Sequence, residues 1–83
     1  MAIEMPDVAP VIRDWLREHV TGARDVADDE QLIDEGVLTS LQTVELVLFL
    51  EERFGINVPE DDFVEENFQS VDAISRYVVS KRG

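Results

Sequence analysis

The chain has 83 residues, with nineteen Asp and Glu against seven Lys and Arg, a formal net charge of −12 and no cysteine. So short a chain makes one small domain over residues 1–83, held without disulfides, and such acidity excludes binding to nucleic acid or to anionic lipid. A hydrophobic fraction of 45% supplies a core and excludes a disordered acidic tail.

The charge has two readings at this point. It attracts a partner with a basic patch, or it only keeps a small protein in solution. Glu4 and Asp7 stand where a signal peptide would be basic, and no apolar run reaches membrane-spanning length. The expectation is a cytoplasmic protein with no membrane insertion. Nothing in the sequence demands more than a monomer.

Residues 1–6 read as a loose lead-in. Asp7 is the expected cap of a first helix, with Pro10 tolerated in its first turn. Val8, Val11, Ile12, Trp15 and His19 fall on one helical stripe, with Leu16 beside it. Thr21 and Gly22 end that helix. An acidic, irregular connection follows over residues 23–38, and Leu32, Ile33, Val37 and Leu38 are its expected anchors. A second helix runs from Ser40 to Phe54 and stops at Gly55. INVP is an extended link, because Pro59 keeps Val58 out of the helical region. One short turn is expected over Asp61 to Glu66. Ser70 caps a last helix whose buried face carries Val71, Ile74 and Val78, and Lys81 and Arg82 suit its C-terminus. The predicted fold is all-α: a small antiparallel-type bundle of three main helices, one short helix and a long first loop.

The second helix carries the functional question. Thr39 and Gln42 form a T-x-x-Q capping box, so Thr39 is the expected cap and Ser40 the first helical residue. The Ser40 hydroxyl is then free to point outward, beside free N–H groups at the positive helix end, where a phosphate is well placed. At 100° per residue, Thr43, Leu46, Val47, Leu50 and Phe54 share the core face. Leu41, Val44 and Leu48 fall opposite them among Glu45, Glu51 and Glu52. An apolar strip rimmed by carboxylates is what a docking surface needs. Full burial of the same helix is the plainer reading, and a thin bundle makes it hard.

Other chemistries have little to stand on. His19 is the one histidine, there is no thiol, and the Asp25, Asp28, Asp29, Glu30, Asp34 and Glu35 cluster lacks the spacing of a calcium-binding loop. A serine hydrolase would need His19 near Ser40, and no glycine-rich phosphate loop is present.

Thr39-Ser40-Leu41, the TVELVLFLEERFGINVP that follows, Asp62-Phe63, and Ser70-Val71 before the last helix together resemble the acyl and peptidyl carrier proteins. That family bears a 4′-phosphopantetheine arm on a serine that follows an aspartate, precedes a leucine and opens the second helix. The resemblance covers nearly the whole chain from the first helix onward. It implies that Ser40 is the attachment residue, and that a phosphopantetheinyl transferase moves the arm there from coenzyme A. It further implies that the arm's thiol holds cargo as a thioester, while the carrier itself catalyses nothing. The family's docking helix matches Leu41, Val44, Glu45, Leu48, Glu51 and Glu52. Thr39 departs from the pattern: it keeps the cap and removes the usual negative charge beside the serine. FGINVP, Asp62-Phe63 and the ENF of Glu66 to Phe68 are similar to discrete aminoacyl carriers, including the D-alanyl type. They also resemble stand-alone carriers of polyketide and nonribosomal peptide pathways. The implied partners are the transferase, an adenylating ligase or acyltransferase that loads cargo, and a downstream transferase. An unmodified acidic adaptor for a basic partner is the alternative class, and fatty or polyketide cargo the alternative load.

Overall fold

The computed structural model describes residues 5–22 and 24–82. It is all helical among these residues: α1 (Met5–Leu16), α2 (Ser40–Phe54), α3 (Glu65–Phe68) and α4 (Val71–Arg82). Of the lead-in expected over residues 1–6, residues 1–4 lie outside what is described and Met5 and Pro6 already belong to α1; the side chains of Asp7 and Arg82 also lie outside what is described.

α1 starts at Met5, two residues before the expected cap. Pro10 therefore lies at the sixth helical position rather than in the first turn. It removes one backbone donor, and burial holds the segment helical: Val8 and Ile12 on either side of it are fully buried. After Leu16 the helix widens into a π-turn, Arg17–Thr21, and stops at Gly22, whose φ of 73° is open to glycine at little cost. The widening corrects one expectation. His19 is rotated off the buried stripe and is exposed. Its ring stacks on Trp15 with centroids 4.8 Å apart, and Trp15 in turn meets Phe49 of α2 at 5.9 Å.

The first loop is anchored as its apolar residues predict. Leu32 and Leu38 are buried, and Ile33 and Val37 pack against the core. Val26 is a further buried anchor, in a stretch that the sequence reading treats only as acidic. The loop also serves as a cap. The Asp28 carbonyl accepts the Asp72 N–H of α4 at 2.9 Å, and the Leu32 N–H donates to the Gln69 carbonyl at 2.7 Å. Ser70 completes the start of α4, its hydroxyl accepting the Ala73 N–H at 3.1 Å. Three carboxylates of the loop face arginines: Asp28 with Arg13 at 2.5 Å, Asp25 with Arg17 at 3.3 Å and Glu30 with Arg24 at 3.1 Å. The Arg24 hydrogen bond holds the Glu30 carboxyl below its usual range, while a hydrogen bond with Glu30 pushes Glu35 up.

The single turn expected over Asp61 to Glu66 is two turns. A 3-10 turn, Glu60–Asp62, is separated from α3 by Phe63 and by Val64, whose backbone is extended. Asp62 is the reason the chain can bend twice. Its carbonyl accepts the Asn67 side-chain amide at 2.7 Å and the Val64 N–H at 2.9 Å. Its carboxylate accepts the Tyr77 hydroxyl at 2.8 Å and faces the Lys81 ammonium at 3.2 Å, both on α4. Phe68 then enters the core fully, 5.5 Å from the Tyr77 ring. In this way α4, which also packs along α1, carries the turn and α3.

The Tyr77 hydrogen bond, then Lys81, lowers the Asp62 carboxyl below its ordinary value. Burial, then Asp62, raises the Tyr77 phenol. A carboxylate with a lowered folded-state pKa stabilises the fold above its unfolded value and loses that contribution as pH falls. Tyr77→Phe should therefore destabilise the protein at neutral pH. The gap from the parent should narrow as pH drops below about 4, the ordinary aspartate range. Urea unfolding of both proteins across that range checks it, and a gap independent of pH would show that the hydroxyl acts without the Asp62 charge.

Candidate functional site

α2 begins where two side chains close on each other. The Gln42 N–H donates to the Thr39 hydroxyl oxygen at 3.2 Å, and the Thr39 N–H donates to the Gln42 side-chain oxygen at 3.0 Å. This is the complete capping box that the spacing predicts. The Thr43 hydroxyl adds a bond to the Thr39 carbonyl at 2.8 Å. These bonds run among Thr39, Gln42 and Thr43, which leaves the Ser40 hydroxyl outside the cap. Ser40 is exposed, at the first helical position, and the first turn of α2 contains no acidic residue. The positive end of the helix dipole is thus not offset by a carboxylate of its own turn, which favours an added phosphate there.

The two faces of α2 separate as the helical wheel requires. Thr43, Leu46, Val47 and Leu50 are buried, and Phe54 is half-buried against the core. Opposite them, Leu41 is 70%, Leu48 60% and Val44 43% exposed. Full burial of the helix is therefore excluded. Glu45 and Glu52 are exposed beside this strip. Their positions alternate with Leu41 and Leu48 at helical spacing, so apolar and acidic residues share one outward stripe.

Glu51 has a different task. It is half-buried, and its carboxylate accepts the Val58 N–H at 2.9 Å. It fastens the extended link that leads away from α2, where Ile56 is buried and Val58 packs against the core. Helical position alone put Glu51 with the other two acids; what it holds lies beyond the helix end.

A groove of about 410 Å³ opens beside Ser40. Ile33 and Leu38 of the first loop line one part of it, and Phe63, Val64 and Phe68 another. Glu65 supplies its one charged side chain. The sequence reading missed this groove. Its signal was the apolar pair Phe63-Val64 inside an otherwise acidic run, EDDFVEE. Both are exposed, at 38% and 44%, although the ring of Phe63 lies 5.7 Å from that of Phe68. His19, by contrast, belongs to a separate surface with Trp15, Phe49 and Arg53, which does not include Ser40.

Ser40 thus combines an exposed hydroxyl, a helix end that favours phosphate, and an apolar groove alongside. Among the described residues, no group of His, Cys, Asp and Glu is disposed to hold a metal ion, and no helix is long and apolar enough to cross a membrane.

Comparison with known proteins agrees with this geometry. The chain is 47% identical over 51 residues to the D-alanyl carrier protein of Streptococcus suis, covering 61% of this chain and 65% of that one. It is 39% identical over 59 residues to aminoacyl carrier protein 1 of Bradyrhizobium diazoefficiens, covering 71% of this chain and 64% of the relative. Aminoacyl carrier protein 2 of the same organism is 36% identical over 76 residues, 92% of this chain and 83% of the relative. For the first two, the match thus spans slightly under two thirds of the relative's length. The phosphopantetheine attachment site family matches residues 8–78, which run from the buried Val8 of α1 through Ser40 to the buried Val78 of α4, and the chain belongs to that family of carrier proteins.

Proposed function

We propose that Ser40 bears a 4′-phosphopantetheine arm and that the protein carries an aminoacyl or amino-acid-derived group between enzymes. The observation that carries this reading is the spare, exposed Ser40 hydroxyl at the capped start of α2. The relatives named as D-alanyl and aminoacyl carriers support the choice of cargo.

In the attachment step the Ser40 oxygen bonds to the phosphopantetheinyl phosphorus of coenzyme A. The phosphoanhydride bond breaks, adenosine bisphosphate leaves, and the hydroxyl proton passes to a base of the transferase. Once attached, the arm supplies the thiol that this cysteine-free chain lacks, and cargo rides on it as a thioester. The chain is a carrier and not an enzyme. Its own contribution is to hold the tether at a rigid helix end and to present it beside a surface that partners recognise, which raises the local concentration of cargo at each of them.

Leu41, Val44 and Leu48 supply apolar contact in this reading, and Glu45 and Glu52 steer a basic partner. The partners are a phosphopantetheinyl transferase, an adenylating ligase that loads the cargo and a transferase that removes it.

Ser40→Ala removes nothing that the cap uses and should fold as the parent does. Incubated with coenzyme A and a transferase, the parent should gain the mass of the arm and the variant should not. Attachment to the variant at another serine, located by digestion and mass mapping, overturns the assignment.

Thr39 can be tested separately. Thr39→Ala loses the side-chain cap and should cost about 1 kcal/mol of stability. Thr39→Asp keeps a cap and adds a negative charge at the positive helix end. It should be modified by a generic transferase at least as fast as the parent. Slower modification of the folded variant would remove the electrostatic account of this position.

The outward stripe is tested by Glu45→Lys combined with Glu52→Lys, which spares the structural carboxylate of Glu51. The double variant should unfold like the parent but load slowly with its cognate ligase, and the rate should lose salt dependence. Leu48→Ala should impair loading more than stability. Leu50→Ala, on the core face, should cost roughly 2–5 kcal/mol. Normal loading of the charge-reversed protein with unchanged salt dependence would reduce the acidic stripe to a solvated surface.

A further inference from the structure

We propose that the groove beside Ser40 is a resting site for α-aminoacyl cargo, and that Glu65 is the counter-ion of the cargo's ammonium group. This rests on the carrier reading above and goes further, because it names the chemical class that the groove selects.

The groove's volume, about 410 Å³, falls within the range of ligand pockets, about 300–1,000 Å³. Its lining is apolar apart from a few polar groups. Two of those are already committed: Thr43 donates to the Thr39 carbonyl, and Thr39 is held in the capping box. Glu65 is the one charge on the lining, and it is exposed. Lys81 faces Asp62 and does not line the groove.

This pattern discriminates among occupants. An anionic group would be repelled by Glu65. A neutral acyl chain would cover apolar surface but would gain nothing from the exposed Glu65 carboxylate. A group with a short apolar body and a cationic head satisfies both parts of the lining. An α-aminoacyl thioester is such a group, and its ammonium sits one carbon from the carbonyl that ties it to the arm.

Tethering makes a weak contact sufficient. Ser40 lines the same groove, so the cargo returns to it as an intramolecular ligand at an effective concentration of roughly millimolar. The wall that carries Glu65 is also fixed in place. Phe63 and Val64 follow directly on Asp62, which Tyr77, Lys81 and Asn67 hold from α4 and α3. An ammonium paired with Glu65 remains protonated and is not a nucleophile, so the resting site also protects the thioester from attack by its own amine.

The test compares two cargoes of matched shape. Isotope-labelled protein is loaded at Ser40 by a transferase, from alanyl-coenzyme A or from isobutyryl-coenzyme A. The second replaces the ammonium by a methyl group. Intact mass first confirms the load. Relative to protein with the bare arm, the alanyl form should shift the backbone amide signals of Gly36, Val64 and Glu65 more than the isobutyryl form does. Glu65→Gln should abolish the difference while its unloaded spectrum stays folded, and Glu65→Asp should restore part of it. Added salt should weaken the alanyl shifts alone. Equal shifts for the two cargoes, no shift with either, or a difference that survives Glu65→Gln overturns the resting site and leaves the carrier reading standing. Failure of the parent to take up either load at Ser40 overturns both.

Discussion

The bonds between Thr39 and Gln42 are the constraint from which the site is built. A helix start leaves backbone donors without partners, and something must meet them. Had Ser40 been the cap, its oxygen would be turned back onto the helix and engaged there. Because Thr39 caps instead, and Gln42 returns a bond to Thr39, the serine becomes the first residue inside the helix. Its hydroxyl is then both spare and fixed, since the residues on each side of it are held. The same arrangement sets the phase of α2. With Ser40 at the first position, Leu46 and Leu50 must point inward and Leu41 and Leu48 outward. One capping choice therefore leaves the Ser40 hydroxyl spare at the head of the face that carries Leu41 and Leu48.

The rest of the molecule holds that helix end in a defined setting. The long first loop would be a liability in so small a protein if it were loose. Instead Leu32 and Leu38 enter the core, and Asp28 uses its carbonyl to satisfy a donor at the start of α4. On the other side, Asp62 turns the chain twice and is held by Tyr77 and Lys81. Both groove walls beside Ser40 are thus suspended from α4, although no residue of α4 lines the groove. Fixing the surroundings of Ser40 through a distant helix makes full use of a small core.

What the sequence disclosed divides along physical lines. Elements governed by local rules were legible: the T-x-x-Q box, the glycine ends at Gly22 and Gly55, the Ser70 cap and the apolar periodicity of α2. Features governed by partners distant in sequence were not. Val26 was hidden among acids because burial is decided by what packs on it. The π-turn that swings His19 outward has no signature in residue type. Glu51 reads as one more exposed acid on the wheel, since nothing in the helix announces that Val58 will return to it. Phe63 and Val64 came closest to a missed signal. Two large apolar residues in an acidic run call for a surface to cover or a ligand to meet, and both line the groove beside Ser40.

The acidity of the chain also acquires structure. Its carboxylates do not form one uniform field. Asp25, Asp28 and Glu30 are turned toward arginines around the first loop, Asp62 toward α4, and Glu51 toward a backbone amide. Those are local charges with local work. Glu45 and Glu52 remain exposed beside the apolar strip of α2, and Glu65 remains exposed at the groove. The two sets see different things. Glu45 and Glu52 stand on a convex helix face, where a charge acts through solvent and is screened by salt. Glu65 stands exposed among the apolar residues that line the groove, where it is the one charge on the lining. The same residue type thus stands in two different settings, because the faces differ in curvature and in the apolar surface beside them.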